Sequence, residues 1–262
     1  DARGRSRSIP VSYLVKRVDE LFAGGVREAV LTGVHIGDYE DEGGLRIEDL
    51  MTALVEKTKM PRFRLSSLEP VELSPRMLDF FADGSRFCPH FHMSIQSANT
   101  KVLADMKRNY SALDVETALK AIDARVPRAF VGMDVIVGFP GETDEEFEDT
   151  FKRLQSLPWT RIHVFPYSSR PGTKAAARTD MVHPLKIKER SKRLRMLSAE
   201  RHFERASAQV GTRKSVLGLK DGNGLSRDYW SVAGAFQASA ESTVQITGVH
   251  VASAERITLL SV

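Results

Sequence analysis

One aspartate stands inside an apolar run, Asp134 in Gly132-Met-Asp-Val-Ile-Val-Gly138. A carboxylate buried there needs partners, so it is either a hydrogen-bonding strut or a ligand contact. The run ends at Gly138, and Pro140-Gly141 makes a turn before Thr143-Asp-Glu-Glu146. Threonine followed three residues later by glutamate is a capping box, so the stretch reads as strand, tight turn and helix start. Glycine at the C-terminal end of a strand lets the backbone approach a ligand closely. Polar residues mark the neighbouring strand ends too. They are Thr32, Gly33, His35 and Asp38; Ser66, Ser67 and Glu69; His92, Gln96, Ser97 and Asn99; then Glu142; and last His163, Tyr167, Ser168 and Arg170. In an α/β sheet or barrel such ends form the ligand-binding rim.

Plainer roles compete at each position. Ser66, Ser67 and Thr143 have ordinary work as turn and helix caps. His90, His92 and His163 fit hydrogen-bonded core histidines, and Arg170-Pro-Gly-Thr173 fits a turn. Cys88, His90 and His92 put three metal-ligating groups within five positions but lack a fourth ligand. Cys88 precedes a proline and suits a small packed thiol. No Gly-x-Ser-x-Gly, phosphate-loop lysine motif or dinucleotide glycine fingerprint is present, so nucleophilic hydrolysis and nucleotide-loop chemistry lack their signatures.

The elements that must position these residues alternate. Helical spacing runs over Ile9 to Ala23, Ile47 to Lys57, Ser74 to Phe81, Leu113 to Arg125, Glu145 to Leu157 and Pro184 to Ala208. Between them lie strand-like runs at Glu28 to Gly33, Phe63 to Ser67, His90 to Ile95, Phe130 to Val137 and Arg161 to Pro166. Such alternation predicts an α/β fold with a parallel sheet, open or closed as a barrel. After Gly211 the texture becomes short alternating segments such as Ser242-Thr-Val-Gln-Ile-Thr-Gly248, which predict a small all-β module. The division falls at 1–210 and 211–262.

The 262 residues are 42% hydrophobic and 27% charged, the balance of a globular protein. No apolar run reaches the ~20 residues of a membrane helix, and no secretory leader pattern is visible. A single cysteine, with no leader, points to a reducing cytoplasmic setting. The net charge of +4 permits nucleic-acid binding. Its excess gathers at Arg3, Arg5 and Arg7 and along Lys186 to Arg205, whose plain reading is a solvated helix face.

Six stretches in order carry a resemblance. They are Arg3-Gly-Arg5, Leu31-Thr-Gly-Val-His-Ile-Gly-Asp-Tyr39 and Leu65-Ser-Ser-Leu-Glu-Pro70, then Cys88-Pro-His-Phe-His-Met-Ser-Ile-Gln-Ser97, Asp134 to Thr143 and His163 to Thr173. Together they resemble the radical S-adenosylmethionine methylthiotransferases that modify tRNA. Ser66-Ser-Leu-Glu-Pro70 and Cys88-Pro-His-Phe-His92 look most like the branch acting on N6-threonylcarbamoyladenosine at position 37; siblings act on isopentenyladenosine or a ribosomal protein. The C-terminal module is similar to the family's TRAM domain, a small RNA-binding β-barrel.

The resemblance implies a partial (β/α) barrel, S-adenosylmethionine across its strand ends, and a 4Fe-4S cluster that cleaves it. By position, Gly33 and His35 lie near the methionine end of the cofactor. Ser67, Glu69, Gln96 and Asp134 line the ribose and substrate side, and Val137 and Gly138 the adenine. RNA contacts fall on Arg3, Arg5, Arg170 and Tyr229. The family's three-cysteine cluster loop normally precedes the Arg-Gly-Arg element, and Cys88 alone cannot hold a cluster. The expectation is an N-terminally truncated, catalytically inactive chain without the first barrel strand. An RNA-binding protein without catalysis is the rival.

Overall fold

The computed structural model describes residues 7–82, 85–253 and 256–262. Its first part carries five parallel strands: β1 (Ala29–Leu31), β2 (Phe63–Leu65), β3 (His90–Gln96), β4 (Phe130–Val137) and β5 (Arg161–Pro166). β1 pairs with β2, and β3 with β4 and β4 with β5, all parallel. Leu68 joins the two sheets: its N–H donates to His92 O at 3.0 Å and its carbonyl accepts from Ser94 N at 2.8 Å. The five strands therefore run in sequence order.

Parallel strands must be linked by crossovers, and helices supply them. They are α1 (Val11–Ala23), α2 (Ile47–Lys57), α3 (Pro75–Asp79), α4 (Thr100–Asp105), α5 (Ala112–Arg125), α6 (Asp144–Ser156) and α7 (Pro184–Ser207). Starts follow cap chemistry. Ser111 and Thr143 accept the N–H of Asp114 and Glu146, completing capping boxes at α5 and α6. α4 is a helix that apolar spacing did not announce. Asn99, read above as a rim residue, is its cap and accepts from Lys101 N and Val102 N.

The core lies between sheet and helices, built from Met51, Leu54, Leu65, Phe91, Met93, Leu119, Met133, Val135 and Trp159, all 1% exposed or less. No helix among the described residues is long and apolar enough to cross a membrane.

Five further strands close a barrel in the order β10-β8-β7-β6-β9. They are β6 (Arg213–Gly218), β7 (Gly224–Ser226), β8 (Ser231–Ala233), β9 (Glu241–Ser253) and β10 (Arg256–Ser261). Trp230, Val232, Ile246 and Leu259 fill it, and Phe130 and Ala206 extend the cluster into the first part. The barrel sits against the strands' N-terminal ends. Arg62 and Arg64, fully buried on β2, both donate to Glu28 at 2.8 Å. Arg62 Nη2 and both Arg64 Nη groups reach Leu225 O, Ser226 O and Arg227 O at 2.8 to 3.1 Å, while Arg62 Nη1 makes no hydrogen bond among the described residues and lies 3.6 Å from Glu241. Bridging guanidiniums thus satisfy barrel carbonyls and one carboxylate together, which buried charges require.

Candidate cofactor and substrate site

At the opposite, C-terminal strand ends the backbone itself is unusual. Ser67 and Gln96, just past β2 and at the end of β3, have φ of 64° and 59°. Side-chain-bearing residues held in the left-handed region concentrate at ligand sites. Nothing in the residue types foretold it. Gln96 is buried, whereas Ser67 is half-buried and its hydroxyl meets only Ser66 Oγ at 3.5 Å.

Past β1, Thr32 to His35 form an exposed loop leading into a 3-10 turn at Ile36–Asp38. Gly33 is exposed, and a Cβ on it would meet Ile36 at an ordinary contact distance of 3.7 Å. Gly37 has no such room: a Cβ there would overlap Glu72. His35 Nδ1 lies 3.8 Å from Glu72 and 4.0 Å from Glu69. Glu69 is ion-paired with Arg108, and its N–H donates to Glu72 at 2.8 Å. Burial pushes the Glu72 carboxyl up from its ordinary range, the Glu69 and Asp38 charges adding to it. His35, Asp38 and Glu72 bring one ligating atom each within 4.8 Å of one another. Cys88, His90 and His92 do not converge in this way: Cys88 is packed, His90 stacks on Tyr229, and His92 bonds Asp134.

Asp134 lies mid-strand, below the rim. Its Oδ2 is 3.0 Å from His92 Nε2, and both side chains are about a quarter exposed. Gly132, paired with His92 across β3 and β4, leaves the imidazole room: a Cβ there would lie 3.6 Å from His92 Nδ1. His163 is the register partner of Asp134 on β5, and its ring centroid lies 5.7 Å from that of His92. Three strands thus present a histidine–aspartate–histidine line, set for proton exchange or for gripping a polar group.

The Gly138 corner is closed by α7. Gly138 has φ of 77°, and a Cβ on it would overlap Ile187. Its N–H donates to Glu142 at 2.8 Å, and Arg190 Nη1 holds the same carboxylate at 2.6 Å. Burial pushes the Glu142 carboxyl up, while the Gly138 N–H and Arg190 favour its charged form. The Val137 carbonyl accepts Tyr167 N at 2.8 Å. Glu142, a candidate rim residue by sequence, is therefore the strut that shapes the corner, and the glycine answers to helix packing.

The other expected residues are scattered. Arg170 is exposed in a turn whose carbonyl accepts Thr173 N at 3.2 Å. Tyr229 has φ of 68° and stacks on His90 at 3.7 Å, with the Arg64 guanidinium 5.1 Å from its ring, in the seam between the two parts. Arg3 and Arg5 lie outside the described residues. Sequence reasoning missed Arg108, which neutralises Glu69, and Tyr110, whose hydroxyl donates to Ser94 O at 2.9 Å.

A cofactor with an ammonium group, a ribose diol and an adenine suits the rim's donor set of carboxylates, hydroxyls and an exposed glycine. An iron–sulfur cluster does not suit this chain's own residues. It needs three or four thiolates. The sole cysteine, Cys88, is fully buried where β3 begins, at the wrong end of the strands.

Over 176 residues, 67% of this chain and 36% of the relative, the chain is 40% identical to the threonylcarbamoyladenosine tRNA methylthiotransferase of Treponema pallidum. It is 32% identical over 228 residues to the enzyme of that name from Aquifex aeolicus, covering 87% of this chain and 56% of that one. It is also 32% identical over 216 residues to the tRNA-2-methylthio-N(6)-dimethylallyladenosine synthase of Bdellovibrio bacteriovorus, at 82% and 48% coverage. The chain thus spans about a third to a half of the curated relatives it matches. Among solved structures, the coproporphyrinogen III oxidase of Escherichia coli, a radical SAM enzyme, superposes with a TM-score of 0.53 at 20% identity. That likeness covers 77% of this chain and 46% of the other, and it concerns the fold. Residues 1–154, more than half the chain, match the Radical SAM superfamily, and the chain belongs to it.

Proposed function

We propose that the chain is part of a cytoplasmic tRNA methylthiotransferase that adds a methylthio group to C2 of N6-threonylcarbamoyladenosine at position 37. Residues 1–210 form its catalytic domain and 211–262 a TRAM-like RNA-binding module. The observation that carries the reading is the 40% identity to a relative named for that reaction. The relatives named for dimethylallyladenosine match at 32 to 34%, and so do others named for threonylcarbamoyladenosine, so the substrate branch rests on the single 40% match and on Ser66-Ser-Leu-Glu-Pro70.

S-adenosylmethionine is held by Gly33, His35, Ser67, Glu69, Gln96, Asp134, Val137 and Gly138. When bound with a 4Fe-4S cluster, it supplies radical chemistry. This chain's part is to bind and orient it: Ser67 presents a hydroxyl held only weakly by Ser66, and Arg108 pairs with Glu69 at the rim. The cluster's thiolates come from outside these residues.

A strain lacking the gene, complemented by the full reading frame, tests this by mass spectrometry of tRNA nucleosides. Loss of the methylthio-threonylcarbamoyl nucleoside and its return on complementation are the expected results. Loss of the methylthio-isopentenyl nucleoside instead overturns the branch. The rival reading is RNA binding without catalysis. Failure of the full reading frame to bind iron and cleave the cofactor would select it.

A further inference from the structure

The basic residues of α7, the half-buried Arg205 aside, fall into two sets. Lys186, Arg190, Arg193 and Arg201 are ion-paired with Asp144, Glu142, Glu148 and Glu204. Lys188, Lys192 and Arg195 are exposed and form no ion pair among the described residues. At four- and three-residue steps these three share one helix face. Leu185, Met196 and Phe203, 69%, 53% and 50% exposed, flank them. The helix's own acids, Glu189, Glu200 and Glu204, lie to one side of that stripe.

The stripe borders the free edge of β5. β4 pairs with one edge of β5, and no strand pairs with the other among the described residues. Arg195 Nη2 reaches across to the Val164 carbonyl at 3.3 Å, capping part of that edge. A cavity of about 240 Å³ opens there, lined by Arg161, His163, Phe165 and Arg195. It falls below the roughly 300–1,000 Å³ that encloses a drug-sized ligand, so it takes one flat group. Arg161 forms no ion pair among the described residues, and Phe165 is 49% exposed. The cavity's inner wall is His163, whose ring lies 5.7 Å from that of His92.

Unpaired cations in a row with an exposed aromatic ring are the combination that holds a single-stranded nucleic acid, phosphates on the cations and a base on the ring. We infer that Lys188, Lys192, Arg195 and Arg161 form a phosphate track for an unpaired RNA segment, with Phe165 as its stacking platform, leading to the His92–Asp134 pair. The track rests on the tRNA reading above. It commits to RNA because the stripe's charge is all of one sign. A protein partner with an acidic face or another segment of the same polypeptide would use the charges without needing Phe165.

The test titrates the 262-residue chain with a labelled RNA hairpin bearing an unpaired loop and with a duplex of equal length, between roughly 50 and 200 mM salt. Arg161→Ala with Arg195→Ala, and separately Lys188→Glu with Lys192→Glu, should weaken hairpin binding at least about tenfold. Each pair should also shrink the salt slope by about 0.7 for every phosphate it no longer neutralises. Phe165→Ala should cost about tenfold at an unchanged slope. Lys57→Glu with Lys59→Glu, an equal charge change on exposed positions elsewhere, should leave affinity within about twofold. If that control weakens binding as much, or the track variants bind like wild type, the track is wrong and the tRNA reading stands. If the wild-type chain binds neither RNA, both fall. The lysine pair is fully exposed, so its result holds even if Arg161→Ala proves unstable.

Discussion

The two ends of the parallel strands use polar residues in opposite ways. At the N-terminal end, Arg62 and Arg64 are fully buried and bonded to Glu28 and to the barrel's carbonyls, while His90 stacks on Tyr229 and His202 on Trp230. At the C-terminal end, Thr32, Gly33 and His35 are exposed, and Ser67 and Gln96 hold left-handed backbone. At the lower end the polar groups are buried, although Arg62 Nη1, His90 Nδ1 and His202 Nδ1 make no hydrogen bond among the described residues, and Tyr229 there is left-handed too; what sets the upper end apart is exposure, with Thr32, Gly33 and His35 open to solvent and Ser67 half-buried. On that contrast the lower end fixes where the C-terminal barrel sits, and the upper end is where we propose that the cofactor binds.

The largest expected effect strikes the lower end. Glu28→Ala leaves two buried guanidiniums without their shared carboxylate, which costs about 3–5 kcal/mol. Denaturant unfolding should show the loss, and proteolysis should cut between Ser207 and Arg213 as the barrel loosens. Unchanged stability would mean that the arginines are held by the barrel carbonyls alone.

Next is a pH effect of the same region. Burial, aided by Arg161 and His163, pulls His202 down to about 4 from the usual 6.5. The unfolded chain therefore binds a proton that the folded chain refuses between those values, and stability falls as pH drops from about 6.5 to 4. The full loss is about 3 kcal/mol. His90 is held low by burial as well and adds to the loss. His202→Phe keeps a ring beside Trp230 and should flatten thermal stability measured over that range; a profile as steep as wild type would assign the loss to other groups.

A smaller effect joins the two ends through α7. Gly138→Ala must hold φ near 77° and displace Ile187, together about 1–3 kcal/mol. Adding Ile187→Ala should recover the packing share and leave the backbone share. Full recovery would put the cost in packing alone.

Much of the frame was legible from the sequence. Each of the five parallel strands begins and ends within about two residues of the stretch read for it. α4 was not legible, since six residues give too little periodicity and its signal was the Asn99 cap. Nothing in the strand reading of Phe63 to Ser67 announced that Arg62 and Arg64 are buried, because another module supplies their acceptors about 160 residues later. For the proposed rim residues, type and place after each strand were legible. Their states were not, because Glu69–Arg108 and Glu142–Arg190 join residues about 40 to 50 apart, and backbone sign at Ser67 and Gln96 leaves no mark in residue type.

The smallest stability effect is the sharpest test of the contrast. Ser67 is in a conformation that glycine adopts without strain and that costs a side-chain-bearing residue about 1 kcal/mol or more. Ser67→Gly therefore relieves that strain at the price of a more flexible unfolded chain, and the net gain should be about 0.5 kcal/mol. If the strain serves to aim the hydroxyl, the same change should lower S-adenosylmethionine affinity about tenfold, the worth of one hydrogen bond to a polar ligand. Isothermal titration with S-adenosylmethionine on wild type and variant, beside denaturant unfolding of each, reads both quantities. A variant that is more stable and binds as well as wild type would make Ser67 an ordinary turn residue, and the upper rim would then rest on Gln96, His35 and Glu69.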